Sequence, residues 1–354
     1  MKDIQFLSNL KVRASWGELG NQEIGSDFPY TSAIGLGNAN YLIGGKIVNG
    51  ASQTVLANKN IKWETTATTN IGIDAGFFDQ RLTLTADYYV RKTKDILLNI
   101  PISVVTGLKA PIQNIGNVEN RGWDLSLNWQ DRVAEFDYGI KFNLSDVKNE
   151  VTYLGGTQEI IANNSIIKIG YPIYSIYGYE TEGIFQTPEE IENAPAQFGS
   201  LQPGNIRYKD QLTVDTDGDG VMDAGDGVIN ADDRVIIGDQ FPRFTYGINL
   251  NAGYKGFDLG IDLQGVGKRD ILLGGDLVFP LFNAGKIQEW HVQECWSPEN
   301  TNAKFPILAA TSFGSNDIQA SETWVFNGSY LRVRNITLGY TIPKQLLSKL
   351  FIKN

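Results

Sequence analysis

The chain has 354 residues, a formal net charge of −10, one histidine and one cysteine. A lone cysteine excludes a disulfide framework and a cysteine metal site, and a lone histidine removes His-based zinc centres and most Ser-His-Asp hydrolases. The acidic balance and the lack of any basic run argue against nucleic acid as a partner.

No stretch of about 18 apolar residues is present, so no transmembrane helix is expected. The first residues, Met1 to Trp16, lack the apolar core of a signal peptide. Glycine is abundant (38 residues) and aromatics reach 11%. That composition, with many alternating runs, indicates an all-β barrel or sandwich.

In chain order, eight strands are expected. Leu10, Val12, Ala14 and Trp16 alternate with Lys11, Arg13, Ser15 and Gly17 in the first. A Gly/Asn/Ser-rich connection follows to Glu64. Strands two and three form a hairpin over Thr68–Arg91. Leu82, Leu84, Ala86, Tyr88 and Val90 fall on one face, and Thr83, Thr85, Asp87, Tyr89 and Arg91 on the other. The Phe77–Gln80 connection is short, as an antiparallel hairpin needs. Residues 96–118 are broken by Pro101, Gly107 and Pro111 and are expected to be a second long connection.

Strand four alternates Trp123, Leu125, Leu127 and Trp129 with polar residues, and strand five runs from Phe136 to Leu144 in the same way. Residues 147–241 are expected to form a large acidic outer loop, with extended pieces at Tyr174–Phe185 and a helical turn at Pro188–Asn193. Strands six (Tyr246–Tyr254) and seven (Phe257–Leu263) are joined by Lys255-Gly256, a two-residue hairpin in which glycine supplies positive φ. Residues 267–328 read as irregular. Strand eight covers Tyr330–Ile342, and its apolar parity slips between Val333 and Ile336, which predicts a bulge. Residues 343–354 are expected to be a closing turn.

Connections are long after strands one, three, five and seven and short after two, four and six. Up-and-down strands then place every long loop at one end. With strands of about ten residues and aromatics near strand ends, this is the pattern of an outer-membrane barrel. A soluble β-sandwich alternates too. In a barrel, Leu82, Leu84, Leu125, Leu127, Leu250 and Leu263 face lipid, and Asp87, Asp124, Asn128, Asn249 and Asp262 face the lumen. A sandwich buries the first set under a second sheet.

Between Glu180 and Asp239 there are 14 acidic and 3 basic residues, a net of −11, so the rest of the chain carries about +1. The acidity belongs to the loop. Within it, Asp215, Asp217 and Asp219 hold positions 1, 3 and 5 of a twelve-residue calcium loop, with Gly220 at the sharp turn. The Val221 carbonyl, Asp223 and Asp226 take the remaining ligand positions, with Asp226 where a bidentate Glu is usual. Calcium is the expected ion, and a solvated acidic turn is the alternative.

Paired carboxylates could serve glycoside hydrolysis, but no spacing selects a pair, and an enzyme is not expected. Gly35-Leu36-Gly37 and Gly274-Gly275 lack the strand-to-helix context of a phosphate loop. His291 with Trp290 and Trp296 could line a sugar site or a buried structural cluster. Tyr174, Tyr177, Tyr179, Trp290 and Trp296 are candidate stacking surfaces for substrate. Cys295 is expected to be an inert small residue.

Several stretches, in order along the chain, carry a family resemblance: LKVRASWGELGN (10–21), NIKWETTATTNIGIDAGFFDQRLTLTADYYVRKTKDILL (60–98), NIGNVENRGWDLSLNW (114–129), GYPIYSIYGYETEGIFQ (170–186), DGDGVMDAGDGVINADDRVIIGD (217–239), CWSPENTNAKFP (295–306) and SYLRVRNITLGYTIPKQL (329–346). The sequence resembles the SusC/RagA-type TonB-dependent outer-membrane transporters across nearly its whole length. The resemblance implies a transmembrane β-barrel of about 22 strands with an N-terminal plug, energised by the TonB complex. It also implies a SusD-like lipoprotein over the outer face and import of oligosaccharides or peptides. On that resemblance residues 1–354 are a C-terminal portion of the barrel wall, embedded in outer-membrane lipid. The plug, the TonB-contacting segment and the last strands are expected outside this sequence. An open eight-strand wall is expected not to transport alone. Gly225-Asp226-Gly227 departs from the family's acidic-loop spacing, leaving open whether Asp215–Asp226 or Asn230–Asp233 completes a metal shell. The rival function is a soluble calcium-binding β-sandwich, adhesive or carbohydrate-binding.

Overall fold

The computed structural model describes residues 6–23, 30–32, 34–37, 40–100, 102–310 and 315–343. Eight long strands form one antiparallel sheet. They are β1 (Leu7–Asn21), β2 (Glu64–Phe77), β3 (Leu82–Asn99), β4 (Ile112–Val133), β5 (Phe136–Leu154), β6 (Arg243–Tyr254), β7 (Phe257–Lys268) and β8 (Tyr330–Tyr340). Each pairs with its neighbours in chain order, so the sheet is a simple up-and-down meander. These are the eight strands read from the sequence, with all four long connections at one end.

Directly opposed residues share a face, so the register sorts side chains into rungs. One rung crosses all eight strands as Leu10, Ala75, Leu84, Leu127, Phe142, Ile248, Leu263 and Val333. On the opposite face a rung runs Lys11, Asp74, Thr85, Ser126, Asn143, Gly247, Gln264 and Arg332. All the residues assigned to lipid fall on the first face and all those assigned to the lumen on the second. Phe136 to Leu144 spans about 27 Å at roughly 3.4 Å per residue, and with a tilt of about 40° this suits the apolar band of an outer-membrane barrel.

A sandwich needs a second sheet over the apolar face. Among the described residues none covers it: Val12 stays 67% exposed and Leu338 73%. The apolar side is therefore the lipid side.

The turns follow the sequence closely. Lys255 (φ 50°) and Gly256 (φ 89°) are both left-handed, as the two-residue hairpin demands. On β8 the register slips so that Asp262 faces Asn335 and Leu263 faces Val333. Arg334 is the extra residue, at the expected bulge. On the polar face Arg13 forks onto Asp74 (2.8 and 3.1 Å) and Asp87 (3.0 and 2.9 Å), joining β1, β2 and β3. Gly72 leaves the room; a Cβ there would lie 2.3 Å from the Asp87 carboxylate.

Two expectations are corrected. Residues 96–99 and 112–118 are strand, because β3 and β4 run on past the apolar band, and only residues 100–111 connect them. These extensions have a core of their own, in which Leu98, Val118, Val151 and Leu154 pack with Ile160 and Ile167. Likewise the residues between β7 and β8 are not an irregular spacer but pack with the connection after β5. Together they fold into one outer lobe. Short strands at Glu159–Ala162, Ser165–Lys168, Ser175–Tyr179 and Arg234–Gly238 make its main sheet. The expected helical turn is present at Pro188–Glu192, capped by Thr187. The closing turn lies, from residue 344, outside the described residues.

The lobe's core is aromatic. Tyr179, Ile206 and Tyr208 from one loop pack with Phe279, Phe282, Phe305 and Trp324 from the other. Trp324 is 1% exposed, and its Nε1 donates to the Asp317 carbonyl at 2.7 Å. The Asp317 carboxylate crosses between the loops, accepting from the Ile206 N–H (2.8 Å) and the Asn205 amide (2.6 Å). Burial pushes Asp317 above the usual carboxylate range, against the lowering effect of these donors.

Three outcomes are expected. In a bilayer, nitroxides at positions 127, 142 and 248 should be quenched by oxygen and those at 126, 143 and 247 by an aqueous nickel chelate; the reverse pattern would sink the orientation. Trp324→Ala should cost the lobe about 3–5 kcal/mol, seen as earlier loss of lobe tryptophan fluorescence with the barrel's heat-modifiable mobility intact. Because the folded lobe holds the Asp317 proton more tightly than the unfolded chain, Asp317 adds most stability below about pH 4. That increment fades as pH rises through its raised value, and Asp317→Asn should flatten this trend in lobe melting.

Candidate functional site

The acidic loop is a closed hairpin. Val214 and Ala224 form an antiparallel bridge, with Val214 N–H donating to the Ala224 carbonyl at 2.9 Å and Ala224 N–H returning to Val214 at 3.1 Å. Inside it the chain turns through Gly218 (φ 79°) and Gly220 (φ 88°), a left-handed conformation that favours glycine. Asp215 accepts from the N–H groups of Gly218 (2.7 Å) and Gly220 (2.8 Å). Asp217 accepts from Asp219 N–H at 3.2 Å, and Asp219 from Val221 N–H at 2.7 Å. The Gly220 and Gly218 amides hold Asp215 below the usual carboxylate range.

This winding brings ligand oxygens of Asp215, Asp217 and Asp219 within 4.8 Å of one another. Asp223 and Asp226 are engaged elsewhere. Asp223 accepts from Thr216 N–H (3.0 Å) and hydroxyl (2.7 Å). Asp226 accepts from Val228 N–H (2.8 Å) and the Asn230 amide (3.3 Å). Asp233 is fully buried and receives the N–H groups of Asn230 and Gln211, both at 2.8 Å. Its carboxylate caps the turn at Ala231–Asp233. Val221 sits exposed at the tip. The structure thus gathers three of the five expected carboxylates.

The aromatic candidates separate by burial. Tyr174 is exposed, in a left-handed backbone conformation. Tyr177 is buried, with the Arg234 guanidinium 4.5 Å from its ring centre. Tyr179 is buried against Tyr208 and Phe198, at 5.2 and 5.4 Å between centroids. Trp296 is buried over Gly204, its Nε1 donating to Gln186 at 2.9 Å. Trp290 is half-buried, packed on His291 and Phe305.

His291 belongs to the structural cluster. Its Nδ1 accepts from Gln288 N–H at 2.9 Å, so Nε2 carries the proton and donates to the Val278 carbonyl at 2.8 Å. Burial pushes the Cys295 thiol up to about 11, which leaves it unreactive at neutral pH.

Two concavities escaped sequence reasoning. On the polar face, a depression of about 500 Å³ is floored by Gly247 and flanked by Asn143, Ser145, Asn249 and Gln264. In the outer lobe, a cavity of about 510 Å³ is lined by Leu272, Phe279, Phe282, Ile318 and Trp324, with Asn164 and Gln319 as polar contacts. The first could have been found by following glycines on the polar parity. The second joins residues from three distant segments, which no local pattern reveals.

Comparison with known proteins agrees with this geometry. Residues 4–354 match the family described as TonB dependent receptor-like, beta-barrel. The chain is 32% identical to TonB-dependent receptor P3 of Formosa agariphila, over 99% of this chain and 34% of that protein. It is 30% identical to TonB-dependent receptor SusC of Bacteroides thetaiotaomicron, over 96% of this chain and 32% of that one. Among solved structures, the RagAB peptide importer in its closed-closed state superposes with a TM-score of 0.75 at 26% identity, covering 98% of this chain and 36% of its own. The chain spans about a third of the length of the relatives it matches. Barrels of this kind are outer-membrane proteins, and this chain belongs to the TonB-dependent receptor β-barrel family.

Proposed function

We propose that this chain supplies wall strands and an outer lobe to a TonB-dependent importer of oligosaccharides or peptides. The observation that carries the reading is the sorting of side chains: every rung that is apolar toward lipid alternates with one that is polar on the other face. Amides, hydroxyls and paired charges on that face suit the lining of a wet lumen. Kinship with SusC and with a peptide importer supports transport rather than catalysis. The reading includes a SusD-like lipoprotein docked on the outer lobe and energy delivered by the TonB complex through parts of the receptor outside this sequence. The wall strands alone do not transport.

The substrate meets this chain first at the outer lobe, where Tyr174 and the edge of Trp290 are the accessible rings of the candidate set, and then at the polar wall. Gly247 lies in that wall, where an added Cβ would meet only the Leu263 carbonyl, at 3.8 Å.

The acidic hairpin is proposed as a calcium site. Its three convergent carboxylates suit a hard cation, which offsets their mutual repulsion. Asp215, Asp217 and Asp219 supply oxygens, with the Val221 carbonyl and water as the remaining ligands. The ion's contribution would be structural, fixing the hairpin on the outer lobe.

Two experiments test these readings. In the receptor that carries these strands, Gly247→Trp should lower uptake of the cognate oligosaccharide or oligopeptide several-fold at unchanged outer-membrane abundance. Unaltered uptake across a panel of both substrate classes would remove the lumenal role. Titration calorimetry should show calcium binding in the millimolar range or tighter, abolished by the Asp217→Asn/Asp219→Asn pair; equal heats for parent and variant would discard the site.

A further inference from the structure

We propose that the lipid-facing side of β3, β4 and β5 carries a docking row for the phosphate groups of outer-leaflet lipid. This rests on the orientation of the wall and is independent of the substrate. On the apolar face the last rung with large apolar side chains on these strands contains Ile71, Tyr88 and Trp123, and it ends at Asp146. Asp146 is held by the Arg243 guanidinium through two hydrogen bonds. One rung further toward the outer lobe, Val90 faces Arg121 and Arg121 faces Lys148. The next rung is Lys92, Glu119 and Glu150. Side chains keep to their face every second residue, so Arg121, Lys148 and Lys92 lie on the lipid side just beyond the aromatic boundary.

Arg121 and Lys148 are like charges placed directly opposite each other, an arrangement that disfavours the sheet unless an anion lies between them. The carboxylates nearby do not fill that role. Glu119 takes Arg121 Nε and stands 3.2 Å from Lys92 Nζ; Glu150 stands 3.0 Å from Lys148 Nζ. Two carboxylates therefore serve three cations. The terminal amino groups of Arg121 make no hydrogen bond among the described residues, and the Arg121 and Lys148 side chains are 64% and 63% exposed.

A phosphate fits this gap in charge and geometry. The guanidinium fork offers paired donors to phosphate oxygens and the ammonium a compact charge. Its position selects a lipid as the source. A phosphate seated here places its acyl chains down the same face, over Leu125, Leu127, Phe142 and Leu144, with the Trp123 and Tyr88 rings at the headgroup boundary.

The test is native mass spectrometry of the detergent-solubilised receptor carrying these strands. It is titrated with bisphosphorylated lipid A, with dephosphorylated lipid A and with phosphatidylcholine. The parent should retain bisphosphorylated lipid A. Arg121→Gln/Lys148→Gln should weaken its binding about a hundredfold, the loss expected for two charge-assisted contacts, while Arg121→Lys should keep most of it. Heat-modifiable mobility on gels verifies that each variant is folded. Equal occupancy in the double variant, or equal binding of dephosphorylated lipid A, would overturn the proposal. Full displacement by millimolar inorganic phosphate would reassign the row to a free anion and overturn the lipid source.

Discussion

The two-residue period of the extended chain is the constraint on which this structure depends. A one-residue slip in any strand would carry its apolar set to the polar face and its polar set into lipid. The register avoids this even where the sequence departs from simple alternation. At Arg334 the chain inserts a residue, and the bulge absorbs it so that Val333 stays with Leu263 on one face and Asn335 with Asp262 on the other. The turns serve the same end. Lys255-Gly256 closes β6 onto β7 with both residues left-handed, which fixes Tyr254 opposite Phe257 and every pair beyond.

Several charges on the polar face are tied to neighbours, as Arg13 is to Asp74 and Asp87 and Asp262 is to Asn249. Arg13 holds Asp74 and Asp87 together only because Gly72, directly between them in register, has no side chain. The same logic places Gly122 beneath the Tyr89 ring and Gly247 at the floor of the polar depression. Glycine here sets the wall's relief, letting a long side chain lie flat or leaving open space.

The molecule's dry core lies outside the membrane wall. Trp324, Phe305, Tyr208 and Phe185 are buried in the outer lobe, while the wall's Leu and Ile side chains depend on lipid for cover. This division explains what could be read from the sequence. The wall was legible because each strand declares its two faces within ten residues, and because long and short connections alternate. The lobe was not, because its core joins residues such as Tyr208 and Trp324 that are far apart and follow no period. Burial of Tyr177, Tyr179 and Trp296 was hidden for the same reason: an aromatic in an irregular stretch carries no local sign of which way it points. In the acidic hairpin, spacing located Asp215, Asp217 and Asp219, whose geometry is set by the turn itself. It could not show that Thr216 would take Asp223, or that Asn230 and the Val228 amide would take Asp226.

The two rims of the sheet carry the remaining consequence. Among the described residues β1 and β8 each have a neighbour on one side only, so each presents a row of backbone N–H and C=O groups along its free edge. In water such an edge invites aggregation. In hydrocarbon each unpaired group costs several kcal/mol, by a rough estimate, so an open edge cannot persist there. Eight strands with this tilt could in principle curl into a narrow barrel filled by its own side chains. The polar face argues against that. Arg13, Asp87, Lys141, Asp262 and Arg332 are too large and too hydrated to share so small an interior, and the sheet remains open. The side chains themselves therefore call for further strands at both edges and a wide, wet lumen. The outer lobe, rooted in the β5–β6 and β7–β8 connections, stands at the mouth of that lumen.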